Sequence, residues 1–162
     1  MVEDRFTKSF PVSWDQLHRD SKALAWRLAG LRAWERIITV TRGGMVPACI
    51  IARELEVRLV DTVAVLSYEH MDQGEVRILK RVEPGQHPEQ DLIVDDLVDT
   101  GRTAAAVRAM LPDAHYATVY AKPEGRDLVD TFVTEVSQDT WIHLPWDTEL
   151  QFVHPIVKAP RA

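Results

Sequence analysis

The chain has 162 residues, 46% of them hydrophobic and 27% charged, an ordinary balance for one globular domain with one sizeable core. Basic residues number 19 and acidic residues 25, and the resulting net charge of −6 argues against nonspecific nucleic-acid binding but leaves room for an anionic small molecule held by local donors. A single cysteine, Cys49, excludes an intramolecular disulfide, and no apolar run approaches the ~20 residues that cross a bilayer.

The charged start Met-Val-Glu-Asp-Arg-Phe lacks the apolar core of a signal peptide, so the expected compartment is the cytoplasm. No repeat, low-complexity tract or long linker divides residues 1–162, and one domain is expected over the whole length. Ser13 and Gln16 have capping-box spacing and open a predicted helix; Trp14, Leu17, Leu24 and Leu28 fit one of its faces, and Gly30 stops it. The tryptophans Trp14, Trp26 and Trp34 are expected in the core.

Ile37 to Thr41 is β-branched and reads as a buried strand running into Arg42-Gly43-Gly44. Pro47 suits the first turn of a helix that continues to about Leu55, with Cys49 expected as a buried core thiol. Asp61 to Ser67 is a predicted strand. A polar loop follows around Asp72-Gln73-Gly74-Glu75, and Arg77 to Val82 forms a further strand. Two prolines and a glycine make 83–90 a loop, and Leu92-Ile93-Val94 is a short central strand. Thr103 to Leu111 is helical, and Tyr116 to Ala121 and Thr131 to Val136 are strands. Strands alternating with helices predict an α/β fold with a mostly parallel sheet, whose ligands bind beyond the carboxyl ends of the strands.

The stretch from Leu92 to Ala104 carries the most chemistry. An apolar strand meets two adjacent carboxylates, Asp95 and Asp96; then come Leu97, Val98, Asp99, Thr100, Gly101, Arg102 and Thr103, and a helix begins. The helix start offers free N–H groups and a positive dipole end, Gly101 permits close backbone approach, and Thr100 and Thr103 add hydroxyls. Those parts form a phosphate cradle. Asp95 and Asp96 can accept from two neighbouring ribose hydroxyls or bind a hard cation. A phosphate beside a cis-diol describes a ribose 5-phosphate. The plain alternative is a strand-to-helix turn capped by Asp and Thr. Likewise Arg42-Gly43-Gly44, by composition alone, is a turn, and a lone lysine such as Lys122 at a strand end is usually a solvated charge.

This stretch resembles the signature of the purine phosphoribosyltransferase family: apolar residues, two acids, a few variable residues, then Thr-Gly and a small or hydroxyl residue. Thr41 to Pro47, Ala121-Lys122-Pro123 with Gly125-Arg126, and Gln138-Asp139-Thr140-Trp141-Ile142 with Pro145-Trp146-Asp147 extend the resemblance, in the expected order, over most of the chain. The resemblance implies the family fold with a small C-terminal hood. It also implies Mg²⁺-dependent transfer of the phosphoribosyl group of phosphoribosyl pyrophosphate to a 6-oxopurine such as guanine, xanthine or hypoxanthine. By resemblance, Arg42 and Gly43 bind the pyrophosphate, with a cis peptide at Thr41-Arg42. Residues 95–103 hold the ribose and its phosphate, Asp96 contacts the metal, and Asp99 is the acid/base near purine N7. Lys122 donates to O6, and Trp141 and the Ile142 backbone receive the base. Asp147 is a further candidate for a second Mg²⁺. A homotetramer, and in some relatives a weak peripheral membrane attachment at the inner membrane, belong to the same resemblance.

Two departures accompany it. Arg102 stands where relatives commonly carry Gly or Lys, and the expected basic residue near Gly74 is missing, with Arg77 the nearest substitute. The rival function is a phosphoribosyl-pyrophosphate sensor that regulates transcription, which the acidic charge and the lack of a helix-turn-helix signal disfavour.

Overall fold

A computed structural model describes residues 6–67, 76–147 and 157. The loop around Asp72 to Glu75, with its missing basic residue, lies outside the described residues. In chain order the elements are β1 (Lys8–Pro11), α1 (Trp14–Ala29), β2 (Arg36–Thr41), α2 (Met45–Glu54), β3 (Leu59–Ser67), β4 (Val76–Lys80), β5 (Asp91–Val98), α3 (Arg102–Met110), β6 (His115–Ala121), β7 (Thr131–Glu135) and β8 (Thr140–His143). Six strands form one sheet in the order β4-β3-β2-β5-β6-β7, and β1 pairs with β8 in a separate two-stranded sheet. All neighbours in the large sheet are parallel except β3 and β4 at its edge. The expected α/β architecture is therefore present.

Helix α1 begins where the sequence predicts: the Ser13 hydroxyl accepts the Gln16 N–H at 3.1 Å, a cap worth about 1 kcal/mol. Leu17, Leu24 and Leu28 are fully buried, each contributing roughly 1.5–3 kcal/mol. They join Ile37, Leu92, Val94 and the α2 residues Ala48 and Ile51 in a core on one face of the sheet. Ile38, Val40 and Ile93 point the other way, into a second core with Ala104 and Val107 of α3. The two-residue alternation along β2 and β5 thus feeds both cores, as it must in a sheet covered on both sides.

Three expectations about burial fail. Trp26 is 80% exposed, because about 200° of helical rotation separate it from Leu24. Trp14 is 55% exposed, its ring leaning on Trp146 at 6.2 Å. Of these three tryptophans only Trp34 packs against the core. Cys49 is exposed: one step round α2 from buried Ala48, it faces outward and is not a core thiol.

Strand β5 is longer than the apolar run that signals it. Asp95, Asp96, Leu97 and Val98 lie inside it, because pairing with β6 continues through Leu97–Tyr120 and Val98–Ala121. The acids are strand residues, not the start of a loop. At the opposite end of the sheet, Arg36 forks onto Asp91 at 2.6 and 2.9 Å, and Asp91 also accepts the Gly85 N–H at 2.9 Å, anchoring the 83–90 loop.

Candidate active site

The chain leaves β2 towards β3 on one side and comes back to β5 on the other. The crevice between β2 and β5 is therefore the point where strand order reverses, the usual ligand seat of an open α/β sheet. Arg42 and Gly43 follow β2, Asp99 follows β5, Lys122 follows β6, and Gln138 follows β7, all at the carboxyl edge.

The Thr41–Arg42 peptide is cis, as expected. Gly43 lies against Asp96: a Cβ there would stand 2.1 Å from Oδ2. Hydrogen and nothing larger fits, so the Arg42-Gly43 loop and the β5 acids share one wall. Asp95 Oδ1 accepts the Asp96 N–H at 2.9 Å, Asp96 Oδ1 accepts the Leu97 N–H at 2.7 Å, and the Tyr116 hydroxyl reaches Asp95 Oδ2 at 3.4 Å. Burial, then the Asp96 charge, holds the Asp95 carboxyl well above the usual carboxylate range. Burial also raises Asp96, and the charge of Asp147 adds to that. Asp147 itself is exposed, in the turn at 145–147.

Beyond β5, Asp99 and Thr100 make the turn and Gly101 caps α3 with a φ of 84°. That left-handed conformation is open to glycine at little cost. It also lets the neighbouring turn close in: a Cβ on Gly101 would lie 2.5 Å from Leu128 Cδ1. No side chain caps the N-terminus of α3. Its first N–H groups, with the Thr100 and Thr103 hydroxyls nearby and exposed Arg102 on the first turn, suit an anion.

Lys122 is 2% exposed, which overturns the solvated-charge alternative. Its Nζ stands 3.3 Å from Asp99 Oδ2 and 4.5 Å from the centre of the Phe6 ring. The Phe6 ring meets Trp141 edge-on at 5.0 Å. The parallel pairing of β1 with β8 sets Ser9 beside Trp141 and Phe10 beside Ile142. Ile142 turns into the core while Trp141 stays half-buried. Asp99 also accepts from Gln138 Nε2 at 2.6 Å. The structure thus gathers Asp99, Lys122 and Trp141 in one place and Gly43 with Asp96 in an adjoining one.

Sequence reasoning missed two members. Gln138 lies in the segment Gln138 to Ile142, but nothing in the sequence marks it as a partner of Asp99. Phe6 precedes β1, a four-residue strand ending in proline that shows no pattern of its own. Trp146, unassigned from sequence, packs against the first core.

Among the described residues no group of three or more His, Cys, Asp or Glu side chains could hold a metal ion. Mg²⁺ nevertheless fits here, because it commonly takes one or two carboxylates and completes its shell with water and substrate oxygens. Two adjacent carboxyls, Asp95 buried and Asp96 half-buried, both held above their ordinary range, are a donor set that a hard cation would relieve.

Comparison with known proteins agrees with this geometry. Residues 13–153 match the family described as phosphoribosyl transferase domain. The chain is 59% identical over 157 residues to the xanthine-guanine phosphoribosyltransferase of Desulfotalea psychrophila, covering 96% of this chain and 97% of that one. It is 58% identical over 159 residues to the protein of the same name from Nitratidesulfovibrio vulgaris, covering 98% and 96%. Among solved structures, a purine phosphoribosyltransferase from Pyrococcus horikoshii superposes with a TM-score of 0.76 at 25% identity, over 91% of this chain and 99% of that one. From the matched segment, these relatives and the shared architecture, the chain belongs to the phosphoribosyltransferase family.

Proposed function

We propose that the chain transfers the 5-phosphoribosyl group of phosphoribosyl pyrophosphate to guanine or xanthine, and to hypoxanthine as a further 6-oxopurine, giving GMP, XMP or IMP and pyrophosphate. The observation that carries this is the buried Lys122 ammonium, 3.3 Å from the Asp99 carboxylate and 4.5 Å from the centre of the Phe6 ring, which in turn meets Trp141 edge-on. Support for the choice of base comes from the names of the relatives at 58–59% identity, and those names lend nothing to the sensor alternative.

A purine nitrogen gives its electron pair to the anomeric carbon, and the bond from that carbon to pyrophosphate breaks, its pair leaving on oxygen. Arg42 and the Gly43 N–H neutralise the leaving group. Asp95 and Asp96 accept from the ribose hydroxyls, and the start of α3, with Thr100, Gly101, Arg102 and Thr103, holds the 5-phosphate, flanked by Leu97 and Val98. Asp99 exchanges a proton with purine N7. Lys122 donates to O6, which an amine cannot accept in its place, so adenine is rejected. Trp141 stacks on the base and the Ile142 backbone meets its 2-position. Mg²⁺, held by Asp96, would supply charge neutralisation for pyrophosphate.

The proposed setting is cytoplasmic. No described helix is long and apolar enough to cross a membrane. The proposed assembly is a homotetramer, for which exposed Trp26, Leu59, Val60 and Leu79 offer apolar surface. The deciding experiment follows pyrophosphate release with guanine, xanthine, hypoxanthine and adenine at saturating phosphoribosyl pyrophosphate and Mg²⁺. Turnover on the three oxopurines is expected, and preference for adenine, or no turnover on any base, defeats the proposal.

A further inference from the structure

We infer that Gln138 is a positioning residue for the proton transfer at Asp99. Its amide lies between two turns: Nε2 donates to Asp99 Oδ1 at 2.6 Å, and Oε1 accepts the Glu124 N–H at 3.1 Å. Each end of the amide faces the partner of the right polarity. Rotating it by half a turn would set the carbonyl oxygen against the Asp99 carboxylate and the NH₂ against an N–H, so one orientation is enforced. The Glu124 N–H thereby aims the donor at Asp99.

Gln138 is itself held. Ser137 Oγ donates to Asp139 Oδ1 at 2.7 Å and shares a hydrogen bond with Thr140 Oγ1 at 2.7 Å. Thr7 donates to Asp139 from its hydroxyl at 2.7 Å, and from its N–H to the Asp139 carbonyl at 2.8 Å. The turn after β7 is thus tied to the chain before β1, and Gln138 extends from it to the turn after β5.

Asp99 also pairs with Lys122, at 3.3 Å on Oδ2. On the function proposed above, Lys122 must also donate a hydrogen bond to the base carbonyl, so its hold on Asp99 is shared. Gln138 has no such second duty. It keeps the carboxylate oriented while Lys122 serves the base, and a donor to a carboxylate in general stabilises its charge.

This inference rests on Asp99 as the acid/base, and the experiment separates the two. Gln138→Met keeps length and removes both hydrogen bonds; Gln138→Glu keeps an acceptor for the Glu124 N–H and replaces the donor with a repelling carboxylate. Steady-state rates across pH are measured for both variants, with Asp99→Asn beside them. In Gln138→Met the kcat should fall roughly ten- to a hundredfold, the size of one hydrogen bond to a charged group, while the KM for phosphoribosyl pyrophosphate stays within about twofold. The acidic limb of the kcat–pH profile should move to higher pH, further in Gln138→Glu than in Gln138→Met. A side chain that only supports the fold would lower Tm without moving that limb. An unmoved limb in the folded variants therefore overturns the inference, and Gln138→Glu decides it alone if Gln138→Met does not fold. Near-normal turnover in Asp99→Asn overturns the acid/base assignment itself; loss of turnover there with an unaffected Gln138→Met overturns only the role of Gln138.

Discussion

Gly43 leaves no room for a side chain against Asp96: a Cβ would stand 2.1 Å from Oδ2, 2.4 Å from Cγ and 2.7 Å from Oδ1. The carboxylate cannot simply step aside, because Oδ1 accepts the Leu97 N–H at 2.7 Å. One glycine hydrogen thus couples the loop proposed to hold pyrophosphate to the acid proposed to hold the metal.

Gly43→Ala should therefore damage both at once. Overpacking typically costs about 1–3 kcal/mol, which in a domain of this size lowers Tm by about 2–4 °C per kcal/mol. The larger effect should be on kcat/KM for phosphoribosyl pyrophosphate, with the apparent Mg²⁺ requirement rising in parallel. Calorimetry and Mg²⁺-dependent rates check this. A variant with normal Mg²⁺ dependence and normal kcat/KM would show that the contact has no bearing on the site.

The Asp95–Asp96 pair sets a pH dependence with a definite sign. Burial first, and then the Asp96 charge, raises Asp95 well above the ordinary range, and Asp96 is raised too, chiefly by burial. The folded state then binds more protons than the unfolded one once pH passes the ordinary carboxylate value, about 3.9. Stability from this pair is present below that value and is lost as pH rises through the raised folded values. Asp95→Asn removes one titrating group and keeps its shape. Its Tm relative to the parent should climb as pH rises above the ordinary carboxylate range, by a few degrees, roughly the effect of 1 kcal/mol or more. Its affinity for phosphoribosyl pyrophosphate should fall. A difference in Tm that is flat with pH counts against the assignment.

Asp99→Asn should bind phosphoribosyl pyrophosphate but turn over poorly, because an amide cannot exchange the N7 proton. Loss of a general acid/base should cost on the order of 10²–10⁴ in rate. Titration calorimetry with phosphoribosyl pyrophosphate and Mg²⁺, set beside kcat, separates binding from chemistry. Lost binding with the fold intact would move Asp99 from proton transfer to substrate anchoring.

Much of this was legible in the sequence, for local reasons. The Ser13 cap, the apolar face of α1 and the alternation in β2 and β5 each follow from neighbouring residues. The signature from Asp95 to Thr103 marked the site because its parts are contiguous. What stayed hidden depends on distant partners. Strand β1 exists only through β8, near the other end of the chain, and Lys8–Pro11 alone has no strand pattern. Two aspartates read as the end of β5, yet its pairing with β6 runs on past them, tertiary context overriding local propensity. Phe6 over Lys122 and Gln138 on Asp99 are contacts between segments far apart in sequence. The exposure of Trp26 and Cys49 was readable from helical rotation, but residue type outweighed position in the expectation.

Lys122 offers the sharpest test of base choice. Its ammonium is buried, 3.3 Å from Asp99 and 4.5 Å from the Phe6 ring centre, so it is held where a base carbonyl could be met with little solvent competition. An ammonium has donors and no acceptor, which suits O6 and cannot suit an exocyclic amine. Lys122→Gln supplies an amide that can do either, and it removes the positive charge that favours O6 in the transition state. The loss on guanine and xanthine should be roughly 1.5–3 kcal/mol, or about ten- to a hundredfold in kcat/KM. Binding of phosphoribosyl pyrophosphate should hold, because the sugar-phosphate loop is a separate segment. Gain on adenine should be small, since Trp141 and the Ile142 backbone still shape the pocket for an oxopurine. The measurement is kcat/KM for guanine, xanthine, hypoxanthine and adenine in parent and variant, with Tm as the control for folding. If the base preference is unchanged and Tm is intact, the buried ammonium serves only its pairing with Asp99, and the discrimination between oxo- and aminopurines must come from the hood.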